Sequence, residues 1–303
     1  MGEVRVGERV REDSFSEWTR YIPILTGMAA FAVGVVLLAF ARQQHEVVWQ
    51  VFALAAMAFA CEFVDSSLGM GYGTTLTPIL LLMGYELKLI VPVVLLSEFA
   101  TGLTAGGFHH ALGNVNFRLR SRDSKVTLAL AGCGVIGATA AVQFLTRVPP
   151  FWAKLYFALM ITSMGIIILI RRNSSYRFSW GKVGALGVIS SFNKGMSGGG
   201  YGPLVVGGQV LSGCDAKNAV GCTSLAESLV CLVALIGFAM IGVFPSFGLA
   251  VPIVLGALLS APCAAAMTRF LDSKLDLKRL VGSVVLILGL LCVYKVLGKF
   301  IGI

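Results

Sequence analysis

Long apolar runs restrict what this chain can fold into more than any other feature. Full runs occupy residues 21–41, about 89–111, 126–147, 151–171, about 217–242, 247–270 and 279–299. A bilayer core about 30 Å thick is crossed by about 20 helical residues. Only 13% of the 303 residues are charged and 57% are hydrophobic, with mean hydropathy +0.86. Soluble domains carry about 25% charge. Little sequence remains for a soluble domain, so one all-α polytopic membrane domain is expected. Trp18, Trp49, Trp152 and Trp180 all fall at expected span ends, where amphipathic rings anchor at the interface.

Two further runs are interrupted. Residues 48–64 give way to Gly-Met-Gly-Tyr-Gly at 69–73 and resume at 74–83. Residues 181–192 give way to Gly-Gly-Gly-Tyr-Gly at 198–202 and resume at 203–212. The two phrases lie 129 residues apart. Laying 63–98 over 192–227 without a gap gives 11 identities in 36 positions. They include Phe63 with Phe192, Tyr72 with Tyr201, Lys88 with Lys217 and Glu98 with Glu227, while Glu86 meets Asp215. Such self-similarity indicates an internal duplication. The expected organisation is a cytoplasmic segment at 1–20, an extra helix and loop at 21–47, repeat one at 48–172, a basic linker at 173–182 and repeat two at 183–303.

A net charge of +9 would suggest nucleic acid in a soluble protein. Here the basic residues sit in short loops, where a positive-inside bias puts them, and no nucleic-acid partner is expected. The basic loops are the N-terminus (Arg5, Arg9, Arg11, Arg20), 114–125 (Arg118, Arg120, Arg122, Lys125), 171–182 (Arg171, Arg172, Arg177, Lys182) and 269–279 (Arg269, Lys274, Lys278, Arg279). All four share the cytoplasmic face if the N-terminus is cytoplasmic and each broken segment is a hairpin returning to its own side. Each repeat then crosses three times, so the repeats are inverted. The expected fold is two inverted repeats, each a broken or re-entrant hairpin plus three transmembrane helices, with an extra N-terminal helix. Secondary transporters are built this way, with the site where the breaks meet. The mixed-charge first twenty residues do not read as a signal peptide.

The glycine phrases admit two readings. They can be joints or close helix-packing points. Alternatively Gly69, Gly71, Tyr72, Gly73 and Thr74, with Gly198, Gly199, Gly200 and Tyr201, hold a substrate. Half-helices starting at Thr74 or Pro203 would then offer free N–H groups and a positive dipole end to an anion. Pro203 suits a first helical turn. A nucleotide fingerprint needs GxGxxG in a βαβ unit, and residue 74 is Thr. A potassium filter needs four copies about one axis.

Ionisable residues at membrane depth are functional candidates by default. Glu98 and Glu227 suit proton coupling, or a structural pair neutralised by Lys or backbone donors. Asp65 and Lys194 occupy matched positions; they can pair with each other, or Lys194 can meet an anion. Asp65 joins the glutamates as a coupling candidate. Ser66, Ser67, Asn193 and Ser197 add neutral hydrogen bonds. His109 and His110 read as an interfacial pair. The seven cysteines show no CxxC or zinc spacing, so no metal site and no cofactor are expected. Cys61 and Cys222 lie near the breaks and read as packed thiols. Nothing in the chain has convincing nucleophile–base spacing, so no catalytic residues and no enzyme are expected.

The run from Asn193 to Pro203 after a short helix, its counterpart in the first half and the number of spans resemble the sulfite exporter TauE/SafE family over residues 48–299. Met70 departs from a glycine triplet. The resemblance implies transport of small sulfur-containing anions, such as sulfite, sulfoacetate and other organosulfonates, across the bacterial inner membrane. The expected function is secondary transport by alternating access, coupled to protons; a passive anion channel of the same fold is the alternative. Expected partners are a small anionic substrate and the lipid bilayer, and a homodimer is compatible with the sequence.

Overall fold

A computed structural model describes residues 45–170, 179–211, 214, 216–267 and 275–301. The segment at 1–20, the run at 21–41, Trp18 and most of the linker at 173–182 lie outside the described residues. The chain divides into two compact units, 1–53 and 54–303, and the packing below is that of the second.

The described residues form ten helices and no strand. They are α1 (His45–Leu68), α2 (Tyr72–Leu82), α3 (Leu87–Ala111), α4 (Arg122–Arg147), α5 (Pro150–Ile170), α6 (Trp180–Ser197), α7 (Tyr201–Leu211), α8 (Ala216–Met240), α9 (Phe247–Met267) and α10 (Leu275–Ile301). Six stretches are long and apolar enough to cross a membrane: Val48–Leu68, Leu87–Ala111, Arg122–Arg147, Pro150–Ile170, Lys217–Met240 and Phe247–Met267. Trp49, Trp152 and Trp180 are exposed near the starts of α1, α5 and α6, as the interface reading expects.

Both breaks have the same backbone cause. Gly69 (φ +71°) and Gly198 (φ +72°) end α1 and α6 in the left-handed region, where a glycine carries no Cβ penalty. Each donates its N–H back one turn, Gly69 to the Asp65 carbonyl at 2.5 Å and Gly198 to the Lys194 carbonyl at 2.7 Å. Gly71 (φ +138°) and Gly200 (φ +80°) then redirect the chain. The half-helices therefore begin at Tyr72 and Tyr201, two residues before the expected Thr74 and Pro203. Pro203 still lies in a first turn, which needs no N–H from it.

The helices α2 and α7 finish near opposite ends of α3. Lys295 of α10 donates to the last carbonyls of α2, Leu81 at 3.2 Å and Leu82 at 2.8 Å, next to the start of α3. At the other end of α3, the Asp123 carboxylate accepts the Asn116 N–H and the Asn218 side-chain amide, both at 2.9 Å. This binds the α3–α4 loop to the start of α8, just beyond α7. Ser121 caps α4 by accepting the Ser124 N–H at 3.1 Å.

Between these ends the helices approach through small residues, as membrane helices do without a hydrophobic drive between them. A Cβ on Gly137 of α4 would overlap the Val188 carbonyl of α6, and one on Gly165 of α5 would crowd the Leu286 backbone of α10.

Candidate functional site

The two glycine phrases lie directly on one another. A Cβ on Gly73 would overlap the Gly198 carbonyl, and a Cβ on Gly202 would overlap the Gly69 carbonyl. Likewise Gly69 lies against Val206, and Gly198 against Thr77. Each contact is the other shifted by the repeat offset, so the pattern is reciprocal, as across a two-fold interface. Gly199 lies against the Gly73 carbonyl carbon and the Thr74 nitrogen. In this conformation the glycines serve close backbone approach. Two N–H groups of the breaks are engaged by side chains: the Tyr72 N–H goes to Asp65 Oδ1 at 3.2 Å and the Gly199 N–H to Ser197 Oγ at 3.0 Å.

One turn before Gly198, Lys194 is 0% exposed. Its Nζ donates to Glu227 Oε1 at 2.6 Å and forms a second ion pair with Glu98 Oε2. The two glutamates occupy matched positions on α3 and α8. Those helices meet closely because Gly102 lies against the Ser224 carbonyl and Ser228 Oγ donates to the Phe99 carbonyl at 2.9 Å. A buried ammonium without partners would cost several kcal/mol; two carboxylates offset that. Cys231, one turn beyond Glu227, puts its thiol 3.9 Å from Glu98 Oε2.

Of the pairings the sequence allows, Asp65 with Lys194 is not among the ion pairs of the described residues, whereas the two glutamates neutralised by a lysine are. Lys194 is held by the glutamates, while Asp65 caps the first turn of α2, where a carboxylate gains from N–H groups and the helix dipole. Glu62 belongs to the site and sequence reasoning missed it. It is 2% exposed, accepts the Ser66 hydroxyl at 2.5 Å through Oε1, and its Oε2 has no hydrogen-bond partner. Three residues before Asp65 in an apolar run, it shares that residue's helix face, which was the available signal. Glu62, Asp65, Glu98 and Glu227 line a small cavity with Ser66, Thr101, Gly102 and Ser224; its volume of about 10 Å³ holds about one water.

The remaining candidates hold the breaks in place. Tyr72 exchanges a 2.6 Å hydrogen bond with Ser97, whereas the buried Tyr201 hydroxyl has no partner. The Thr74 hydroxyl is likewise buried and unpartnered. Ser197 Oγ donates to the Asn193 carbonyl at 2.7 Å, and Asn193 Oδ1 accepts the Tyr156 hydroxyl at 2.5 Å. Cys61 and Cys222 are buried, as read.

His109 is enclosed by protein. It is 0% exposed, with Nε2 3.1 Å from the Ser66 carbonyl and Nδ1 3.1 Å from the Asn114 amide nitrogen. Asn114 donates there and to the Ala265 carbonyl at 3.1 Å. The loop after α3 thus folds back over the ring, and the proton on Nε2 donates to the first break. His110 is exposed. Among the described residues no three His, Cys, Asp or Glu side chains are arranged to hold a metal ion.

Residues 53–292 match the family model described as Sulfite exporter TauE/SafE. The chain belongs to the sulfite exporter TauE/SafE family. A curated relative, the Probable membrane transporter protein YtnM of Bacillus subtilis (strain 168), is 29% identical over 201 residues. The matched stretch is 62% of this chain and 64% of the relative, so the chain spans somewhat under two-thirds of that relative's length. No solved structure matches the chain. Family membership and the six spans make this TauE/SafE chain a multi-pass membrane protein. The family match covers both glycine phrases, Lys194 and all four carboxylates of the site.

Proposed function

We propose that this protein is a secondary transporter, not an enzyme, that moves small sulfur-containing anions such as sulfite, sulfoacetate or another organosulfonate across the bacterial inner membrane. It works by alternating access of two inverted repeats, coupled to protons. The observation that carries the reading is Lys194, a buried cation where two broken helices cross, held by a matched pair of glutamates. The reciprocal glycine contacts, and the finish of α2 and α7 near opposite ends of α3, support a two-fold relation between the repeats. The N-terminus is cytoplasmic in this scheme, which rests on the basic loops.

The charge balance supports proton coupling. Four carboxylates and one ammonium share the centre, so an anion approaching Lys194 meets net negative charge. A proton on Glu98 or Glu227 removes one repulsion and frees one Lys194 N–H for the anion. The unpartnered hydroxyls of Tyr201 and Thr74 are spare donors nearby. Gly69, Gly71, Tyr72 and Gly73, with Gly198, Gly199 and Gly200, form the crossing that must separate for an anion to enter. Asn193 and Ser197 shape the second loop, and Asp65 closes the first. The cavity beside the carboxylates has room for about one water, so an anion needs the crossing to open.

Purified protein in proteoliposomes tests this reading. Vesicles loaded with unlabelled sulfite should accumulate labelled sulfite by counterflow, faster as pH falls, and Glu98→Gln or Glu227→Gln should flatten the pH profile. Saturating exchange identifies a carrier. Electrodiffusive flux without counterflow would mean a passive channel of the same fold, and no flux of sulfite or any organosulfonate would remove the reading.

A further inference from the structure

Away from the crossing, near the end of α2, lies a cavity of about 460 Å³. Its size is in the range of small-molecule sites, roughly 300–1,000 Å³. It is lined by Leu81 of α2, by Gly84, Tyr85 and Glu86 between α2 and α3, by Pro150, Phe151 and Lys154 at the start of α5, and by Cys292, Lys295 and Val296 of α10. All three charged residues are two ammonium groups and one carboxylate. Lys295 is anchored, since it donates to the Leu81 and Leu82 carbonyls. An ammonium has three donors, so one remains. Lys154, half-buried, forms none of the ion pairs among the described residues. The rest of the lining is largely apolar.

The depth of the cavity in the bilayer is marked by its neighbours. Trp152 is 60% exposed and Tyr294 is 71% exposed, each adjacent in sequence to a lining residue. Trp152 is in the first turn of α5, and an exposed Trp at a helix end sits at headgroup level; Tyr294 lies about two turns inside α10. A bare inorganic ion would leave most of a space this size empty, whereas the apolar walls suit a short carbon substituent.

We infer that this cavity is a second binding site, for an oxyanion bearing an alkyl or glycerol substituent, with the oxyanion between Lys154 and Lys295 and the substituent against Leu81, Phe151 and Val296. Glu86 sets its selectivity by opposing doubly charged groups or by pairing with a ligand amine. A phospholipid headgroup and a soluble alkanesulfonate share this chemistry. The site is spatially separate from the transport centre, since none of its lining residues lines the cavity there.

Binding of hexanesulfonate and of dihexanoyl-phosphatidylglycerol to delipidated full-length protein, measured by calorimetry, tests the site and its source. Lys154→Gln should weaken at least one probe about tenfold, the loss expected for one charge-assisted hydrogen bond. Glu86→Gln should hold or tighten the same probe, because it removes only an opposing charge and Glu86 makes no side-chain cap bond to α3. An unchanged thermal midpoint without ligand verifies that Lys154→Gln folds. Loss confined to the phospholipid makes this a lipid site; loss confined to the sulfonate makes it a site for soluble anions. If neither probe binds the native protein, or both bind Lys154→Gln as tightly as the native chain, the inference is overturned.

Discussion

The two halves of the crossing share a backbone and differ in chemistry. Both close with a left-handed glycine, turn on a second and start a half-helix at tyrosine. Yet the first half carries Glu62 and Asp65 where the second carries Ser191 and Lys194. Tyr72 has Ser97 as its partner; the position matched to Ser97 is Ala226, and Tyr201 is left without one. Asp65 accepts the Tyr72 N–H, a role a lysine cannot fill; in the second loop Ser197 accepts a different N–H, that of Gly199. The two halves thus share the geometry that lets two backbones touch, while their side chains differ, acidic in the first and basic in the second. The difference puts one cation among four carboxylates, an arrangement with no counterpart by symmetry.

Substitution at matched positions sharpens or breaks this comparison. The largest difference is expected at 65 and 194. Lys194→Met leaves Glu98 and Glu227 buried without their cation and should cost about 3–5 kcal/mol. Asp65→Asn loses only part of a helix-end interaction, about 1 kcal/mol. Denaturant unfolding in detergent measures both, and equal losses would contradict the central role of Lys194. Next come the crossing glycines. Gly73→Ala and Gly202→Ala each drive a methyl into the opposing backbone and should cost similar amounts, about 1–3 kcal/mol or more. A tolerant site beside an intolerant one would break the reciprocity. The smallest contrast is at the tyrosines. Tyr72→Phe should cost about 1 kcal/mol and Tyr201→Phe close to nothing, because only the first hydroxyl has a partner. A comparable loss at Tyr201 would show that its hydroxyl is engaged.

Much of the architecture was legible because a duplicated phrase in an apolar chain has few readings. Glycine where a helix must stop, and an ionisable pair at one register, both survive translation from one dimension to three. Partner choice was left open in one dimension: a lysine between the two glutamates was one reading and Asp65 with Lys194 another. Lys194 aligns with Asp65, but alignment across repeats does not bring residues together; the helices that meet at Lys194 are α3 and α8, and their glutamates reach it first. Glu62 was hidden by the same comparison, since its match is Ser191 and the overlay began at Phe63. His109 lies beside a polar loop and read as interfacial. It is buried because Asn114 ties that loop to α9, a contact between residues 151 apart that no local pattern reveals.

The central claim is that the Lys194 centre serves transport and not only folding. The neutral triple variant Glu98→Gln, Lys194→Met and Glu227→Gln separates the two, because removing a whole buried ion group is often close to neutral for stability. Its stability should recover most of what Lys194→Met alone loses. Measured as sulfite counterflow in proteoliposomes, its transport should be abolished at every pH. A triple variant that folds and exchanges sulfite at the native rate, with the native pH profile, would contradict the claim.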